Sequence, residues 1–224
     1  MKEVALRFEN IRIPGLKDEG LTLEIHAHTA ATVLGSESSG VDVLGRYALA
    51  LLRPSAGRVL VFGEDISQMT RSAALAFRRR VGYLPADIGL LHNLSLSDNV
   101  ALPLQFGSSM SEREIEGRLR IMLAQLRLTD VAKRRPADVT EEQRRRAAVA
   151  RAVAFDPNLV IMEDPFDGMT TRAAAELLEI VRGGETPEGS RRTVFITGQS
   201  LPQSLEPRIE THYKIARGRL NVRT

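Results

Sequence analysis

The residues of this chain that could do chemistry are concentrated in a loop between two glycines, Gly35 and Gly40, which follows a short apolar run. Glycines at this spacing between a strand and a helix are typical of a loop whose backbone N–H groups bind phosphate at a helix N-terminus. The full pattern places Lys and then Ser or Thr directly after the second glycine. Here those positions hold Val41 and Asp42. The sequence therefore predicts the scaffold of a nucleotide site without its usual side chains.

The candidate phosphate-contacting segment comprises Gly35, Ser36, Glu37, Ser38, Ser39, Gly40, Val41 and Asp42. Val41 removes an ammonium group whose charge-assisted hydrogen bonds are worth roughly 1.5–3 kcal/mol each. Glu37 and Asp42 would place carboxylates beside a polyanion, and like charges about 4 Å apart repel by on the order of 4 kcal/mol at an effective dielectric near 20. Asp42 could still ligate Mg²⁺, which leaves altered binding of MgATP open.

Composition excludes several classes of protein. The chain has 224 residues, 43% hydrophobic and 26% charged, with no Cys, so a disulfide framework and a Cys-based metal site are excluded. No apolar run is long enough for a membrane span, and the N-terminus lacks a signal-peptide pattern, so we expect no direct membrane insertion. A net charge of +3 does not argue for nucleic acid. The arginine clusters 78–80 and 144–146 are interpreted as solvated helix faces.

Strand and helix patterns alternate along the chain, which predicts an α/β sheet. Predicted strands cover 4–13, 21–26, 31–34, 57–63, 81–84, 159–162 and 193–196, with a terminal hairpin around 217–218. Predicted helices cover 43–52, 72–80, 111–126, 140–154 and 171–182, the third and fourth opening with capping boxes, and 183–190 is a polar hinge. Residues 90–106 are apolar and loop-broken. Residues 87–137 are interpreted as a helical lobe inserted into the α/β body.

In this order, the motifs resemble those of the nucleotide-binding ATPase subunits of ABC transporters over nearly the whole chain. The segments that carry the resemblance are 52–65, 79–83, 90–104, 143–157 and 159–166. The resemblance implies a P-loop-NTPase-like ABC ATPase fold with a mixed-sheet core. That core would comprise residues 1–86 and 138–224, with N-terminal antiparallel strands, and residues 87–137 would form the inserted helical subdomain.

In this family two subunits meet head to tail, and each ATP lies between one subunit's phosphate loop and the other's L-S-G-G-Q signature. The matching segment here is Val139, Thr140, Glu141, Glu142 and Gln143, in which two carboxylates replace the glycines that approach the phosphate. Carboxylates are favourable at a helix N-terminus by roughly 0.3–1 kcal/mol. The simplest interpretation of this degenerate signature is a well-capped helix.

Other positions matched to the family's catalytic residues also depart from its pattern. Ala86 stands where a Gln reaches the metal and the attacking water, and Glu163 and Asp164 reverse the usual order of Asp then Glu. Gln199 replaces the switch His, so it can hydrogen-bond a phosphate but cannot become an imidazolium. Residues 13–16 offer no aromatic for adenine. We therefore predict that these catalytic positions are vestigial, and we expect neither a metal site nor a nucleotide cofactor.

This distribution of changes favours a pseudo-ATPase that keeps a structural or regulatory role in a membrane transport complex. The alternative is a weak or altered ATPase, in which Asp42, Glu163 and Asp164 form a relocated metal site and Gln199 contacts phosphate. A further alternative is a self-associating scaffold unrelated to transport.

The resemblance also implies partners and a location. The expected partners are a transmembrane permease subunit, an ABC ATPase homologue in a homo- or heterodimer, or both. The expected location is the cytoplasm, peripheral to the inner face of the membrane. The apolar segment 88–106 could be a partner surface or the interior of the helical lobe, and the sequence leaves both open.

Overall fold

The computed structural model describes residues 3–16, 20–184 and 191–223. Its strands are β1 Val4–Ile11, β2 Leu21–His26, β3 Ala30–Gly35, β4 Arg58–Val61, β5 Glu64–Asp65, β6 Val81–Leu84, β7 Leu159–Glu163, β8 Thr193–Gly198, β9 Thr211–Ala216 and β10 Arg219–Arg223. Its α-helices are α1 Leu44–Ala48, α2 Arg71–Arg78, α3 Leu96–Gly107, α4 Glu112–Gln125, α5 Glu141–Ala152 and α6 Thr171–Arg182. Short 3-10 turns occupy Glu37–Ser39, Val41–Val43, Ile66–Gln68, Thr129–Val131, Pro136–Asp138 and Gln203–Arg208.

The strands form two sheets, and the mixed-sheet α/β prediction is confirmed. The larger sheet has the order β10-β9-β3-β8-β7-β6, with parallel pairing from β9 to β6 and β10 antiparallel at its edge. The smaller sheet, β2-β1-β4-β5, is antiparallel. Parallel strands bring their carboxyl ends to one edge, so the residues that follow β3, β6, β7 and β8 lie at a common edge.

Two apolar clusters hold these layers together. One lies between the two sheets and α1, where the rings of Phe8 and Phe195 pack with centroids 6.0 Å apart. The other joins the larger sheet to α3, α4, α5 and α6. Large apolar side chains are buried on both faces of the mixed sheet. This packing holds the strands in place, and with them the edge at which the candidate residues meet. No helix within the described ranges is long and apolar enough to cross a membrane.

The interpretation of residues 90–106 as loop-broken was wrong, because this segment contains helix α3. Ser95 caps the helix by accepting a hydrogen bond from the Asp98 N–H at 3.1 Å. Asn99 is fully buried, and its side chain bonds the backbone of Leu91 in both directions. Pro103 lies inside the helix. A proline inside a helix lowers its stability, but the Ser95 cap and the burial of the apolar side chains of α3 compensate for this loss.

The helix after the phosphate loop is shorter than the predicted 43–52. It is α-helical over Leu44–Ala48, and Ala50 has a positive φ of 52°. The Leu51 N–H then donates to the Arg46 carbonyl at 2.9 Å, which closes the helix end. Of the predicted hinge 183–190, residues 185–190 lie outside the described residues.

Candidate phosphate-loop site

The loop after β3 folds into two consecutive 3-10 turns that use their own amide groups. The Ser39 N–H donates to the Ser36 carbonyl at 2.8 Å, and the Val43 N–H donates to the Gly40 carbonyl at 3.4 Å. The Leu44 N–H donates to the Val41 carbonyl. Gly40, with φ of 74°, joins the two turns in the left-handed region that favours glycine. The amides of Ser39, Val43 and Leu44 therefore already have acceptors inside the loop.

The two residues that break the phosphate-loop pattern have different environments. Val41 is only 3% exposed and belongs to the apolar cluster beneath the antiparallel sheet. Asp42 is exposed and forms an i,i+4 ion pair with Arg46 at 2.9 Å. The first helical turn therefore offers an apolar side chain to the core and a paired carboxylate to the solvent.

A chain of side chains connects the loop to the ends of β7 and β8. The Gln199 amide donates to Glu37 Oε1 at 3.3 Å, and the Gln199 backbone N–H donates to Asp164 Oδ1 at 2.9 Å. Asp164 has a positive φ of 41°, and its N–H donates to the Thr197 carbonyl at 2.8 Å. A Cβ at Gly198 would lie 2.2 Å from Asp164 Oδ1, so glycine is needed there. The Asp164 side chain thus accepts the backbone hydrogen bond of the residue that follows β8.

Glu163 points under helix α1 and is half-buried. Its Oε1 accepts a hydrogen bond from the Tyr83 hydroxyl at 2.9 Å, and its carboxyl group also accepts from the Ala86 N–H. Burial raises the pKa of Glu163, partly opposed by the Tyr83 hydrogen bond. Burial also raises the pKa of Tyr83, and the adjacent Glu163 charge adds to that shift. A Cβ at Gly45 would lie 2.6 Å from Glu163 Oε1, so glycine lets α1 approach this carboxyl group.

The segment that the sequence analysis matched to the signature, residues 139–143, contains a helix start with a complete capping box, as predicted. The Gln143 N–H donates to Thr140 Oγ1 at 3.2 Å, and the Gln143 side chain accepts from the Thr140 N–H at 3.0 Å. Glu141 pairs with Arg144, and Glu142 pairs with Arg146 at 2.9 Å. Both carboxylates are therefore compensated within their own helix.

The interpretation of arginines 144–146 as a solvated face was wrong for two of the three. Arg145 is 5% exposed and Arg146 is 4% exposed. Arg145 Nη1 donates to the Asp164 carbonyl at 3.0 Å, which connects the signature helix to the acidic pair after β7. Sequence reasoning missed Tyr83, Gly45, Gly198 and Arg145 as supports of the site. The only available signal was the position of each directly beside a predicted motif.

These residues do not fit MgATP in the manner of the phosphate-loop pattern. A cleft of about 530 Å³ is lined by Ala86, Arg145, Asp164, Asp167 and Gln199, among others. However, Asp42 pairs with Arg46, Glu163 with Tyr83, and Asp164 with the Gln199 N–H. Across the described part of the chain, no group of three or more His, Asp or Glu side chains is arranged to hold a metal ion.

The fold and the loop define an α/β cassette of the P-loop ATPase type. The chain belongs to the ABC transporter family, since the family model described as "ABC transporter" matches residues 19–167.

Named relatives are ATP-binding subunits. Methionine import ATP-binding protein MetN 2 of Pseudomonas aeruginosa is 30% identical over 159 residues, which are 71% of this chain and 48% of that protein. Lipoprotein-releasing system ATP-binding protein LolD of Chromohalobacter salexigens is 31% identical over 166 residues, which are 74% of this chain and 70% of that protein. The chain spans about half the length of the methionine-import relatives it matches.

Solved structures share the fold at low sequence identity. MJ0796, described as a bacterial ABC transporter cassette in a dimeric structure, gives a TM-score of 0.84 at 20% identity, over 97% of this chain and 98% of that one. The cbiO1 protein from Clostridium perfringens, part of the ABC transporter complex cbiONQ, gives a TM-score of 0.81 at 19% identity, over 98% of this chain and 88% of that one.

Proposed function

We propose that this chain is an ABC-type subunit of a membrane transport complex and that its own phosphate loop does not hydrolyse ATP. It would pair with a second subunit of the same fold and with a transmembrane permease, in a structural or regulatory role. Two kinds of comparison support the transport role and the partners. MetN and LolD are named for import and release systems, and the MJ0796 cassette is described as dimeric. In this arrangement residues 87–137 would form the helical subdomain.

The observation that carries the non-catalytic part is the environment of Val41. The side chain at the position of the phosphate-contacting lysine is buried in the apolar core and cannot compensate phosphate charge. The amides of Ser39, Val43 and Leu44 are hydrogen-bonded within the loop. A phosphate in this loop would lie beside the carboxylates of Glu37 and Asp42, with no lysine to offset their charge.

Asp164 is equally unsuited to act as a general base in this geometry. Its Oδ1 accepts a hydrogen bond from the Gln199 N–H at 2.9 Å, so this oxygen is already engaged within the chain. Gln199 is itself engaged with Glu37. The groups that would position or activate water are thus committed to contacts within the chain.

The second candidate is an altered ATP-binding or ATPase subunit that powers transport. The relatives favour this alternative over a pseudo-ATPase, because MetN 2 and LolD are both named ATP-binding proteins. In such a subunit, exposed Asp42 would be the group that contacts Mg²⁺, after release of Arg46. A scaffold unrelated to transport has no comparable support, since these relatives are named for transport systems.

Calorimetric titration with ATP and ADP, with and without Mg²⁺, tests the proposal. We expect no binding by the natural chain at millimolar MgATP and no hydrolysis above that of a protein-free control. The matched variants are Val41→Lys/Asp42→Ser, which restores the pattern, and Asp164→Asn, which removes the acid. Metal-dependent binding with hydrolysis that Asp164→Asn abolishes would overturn the proposal and establish the ATPase alternative.

A further inference from the structure

An arginine-rich cleft lies between the end of α4, helix α6 and the turn Gln203–Arg208. It encloses about 510 Å³, and none of its lining residues lines the phosphate-loop cleft. Ala175 and Ile180 contribute apolar surface on α6. Arg172 and Glu176 stand on the same helix at i,i+4 spacing, so one face of α6 carries both the charges and the apolar surface. The cleft is therefore amphipathic.

Three guanidinium groups converge on one carboxylate in this cleft. Glu176 is paired with Arg127 at 3.3 Å, Arg146 at 3.3 Å and Arg172 at 3.2 Å. Hydrogen bonding to Arg172, with a smaller contribution from Arg146, lowers the pKa of Glu176, so Glu176 stays a carboxylate at neutral pH. Arg146 also pairs with Glu142, so these three guanidinium groups face two carboxylates.

The neighbouring carboxylate, Glu179, is shared in the same way. It pairs with Arg208 at 2.6 Å and with Arg191 at 3.5 Å. Glu176 and Glu179 are thus each paired with more than one guanidinium group. The network therefore retains excess positive charge. Arg127 and Arg172 hold most of this charge at the surface, with side chains 66% and 85% exposed.

Arg146 is the buried member of the network and lines the cleft. Its side chain is 4% exposed. Nε donates to Glu142 at 2.9 Å and Nη2 donates to Glu176 at 3.3 Å. Among the residues that the structure describes, its Nη1 atom has no hydrogen-bond partner. This atom is not accessible from the cleft, so Arg146 adds positive charge beneath the cleft and no free donor.

We propose that this cleft binds a small organic anion with a phosphate head group. Guanidinium forks match phosphate oxygens in bidentate geometry, which is the reason arginine predominates at such sites. Arg127 and Arg172 would hold the phosphate at the rim, with the charge of Arg146 beneath them, and the organic part would lie on Ala175 and Ile180. The proposal does not rest on the function proposed above, because it involves neither the phosphate loop nor ATP hydrolysis.

Calorimetric titration of the full chain with phenyl phosphate, orthophosphate and benzyl alcohol tests this site. The cleft variant is Arg127→Ala/Arg172→Ala, and the matched control is Arg113→Ala/Arg120→Ala, which removes the same charge from exposed positions on α4. We expect phenyl phosphate to bind the natural chain and the control equally, and the cleft variant about tenfold more weakly. Orthophosphate binding with the same dependence on the variant would identify free phosphate as the ligand.

Three results would overturn the proposal. They are absence of phenyl phosphate binding at millimolar concentration, equal weakening in both double variants, and binding of benzyl alcohol as tight as that of phenyl phosphate. If the double variant is unfolded by circular dichroism, single Arg172→Ala takes its place, because that side chain is 85% exposed. An Asp42→Ala variant separates this site from the phosphate loop, since it should leave phenyl phosphate binding unchanged.

Discussion

The Tyr83 hydroxyl donates a hydrogen bond to Glu163 Oε1 across 2.9 Å, which joins the ends of neighbouring strands β6 and β7. The same carboxyl group accepts from the Ala86 N–H. Glu163 is the residue that the sequence analysis matched to one of the family's two catalytic acids. In this chain it fastens the segment after β6 to the sheet. The Tyr83–Glu163 hydrogen bond joins two strands of the sheet, so its contribution to stability can be measured without any ligand.

Tyr83→Phe removes that donor and should lower the free energy of unfolding. A hydrogen bond to a charged group contributes about 1.5–3 kcal/mol when buried, and the half-buried Glu163 places the expected loss at the lower end. Urea unfolding followed by circular dichroism measures it. Tyr47→Phe is the matched control, because Tyr47 is buried on α1 and its hydroxyl has no partner among the described residues. Equal stability losses in both variants would contradict this prediction.

Glu163→Gln should change the pH dependence of stability with a defined sign. The folded-state pKa of Glu163 is raised above its ordinary value of 4.5 by burial. The group's contribution is therefore fully present below that value and is lost as pH rises through the folded pKa. Relative to the natural chain, Glu163→Gln should gain stability as the pH rises above 4.5. Urea unfolding across that range measures the difference.

Glu114→Gln gives the matched control of opposite sign. Hydrogen bonds from Ser111 lower the pKa of Glu114, so its contribution is present above the ordinary value and lost as pH falls. The Glu114→Gln variant should lose stability relative to the natural chain over the same rise in pH. Parallel curves for the two variants would show that the Glu163 environment is not as described.

Gly45→Ala tests the close approach of α1 to Glu163. The added Cβ would lie 2.6 Å from Glu163 Oε1 and 3.2 Å from Ile161 Cγ2, so the held carboxyl group has to move. We expect a net loss of about 1 kcal/mol despite the better helix propensity of alanine. Unfolding of the double variant with Glu163→Ala should recover most of this loss, which is a double-mutant coupling between the two positions.

Gly117→Ala is the control for that substitution. Gly117 lies inside α4, and a Cβ there would meet nothing within 4 Å. Helix propensity alone should then stabilise the protein by about 0.5–1 kcal/mol. The same exchange is therefore predicted to have opposite signs on two helices. Stabilisation by both substitutions would mean that Glu163 does not press against α1.

Much of the fold followed from local signals in the sequence. Apolar runs such as 81–84 predicted buried strands, and the pairs Ser111–Glu114 and Thr140–Gln143 predicted helix starts that the structure has with both capping bonds. These signals act over a few residues, so spacing alone reveals them. The α/β sheet followed because strands and helices alternate, whereas its mixed character was implied by the family resemblance.

The internal contacts of the site could not be predicted, because they join residues that are distant in sequence. Glu37 meets Gln199, and Tyr83 meets Glu163, only after the sheet has formed. Arg145 illustrates the same limit, since an arginine run predicts a solvated face whereas this one is 5% exposed. Its burial depends on the Asp164 carbonyl that accepts from it. The vestigial roles assigned to Ala86, Glu163, Asp164 and Gln199 stay predictions.

Val41→Lys tests whether the loop still has room for the lysine of the phosphate-loop pattern. Val41 is 3% exposed in an apolar cluster, so a lysine must either bury its ammonium group or force the loop open. Burying an unpaired charge in an apolar cluster destabilises a protein by several kcal/mol. The loss is smaller if the long lysine side chain places its ammonium group in solvent. We expect the free energy of unfolding to fall by about 2 kcal/mol or more. Val41→Ile at the same position keeps the apolar contact and should cost less than about 1.5 kcal/mol. If Val41→Lys is as stable as Val41→Ile, the loop can accommodate an ammonium group at this position. That result would support the altered-ATPase alternative.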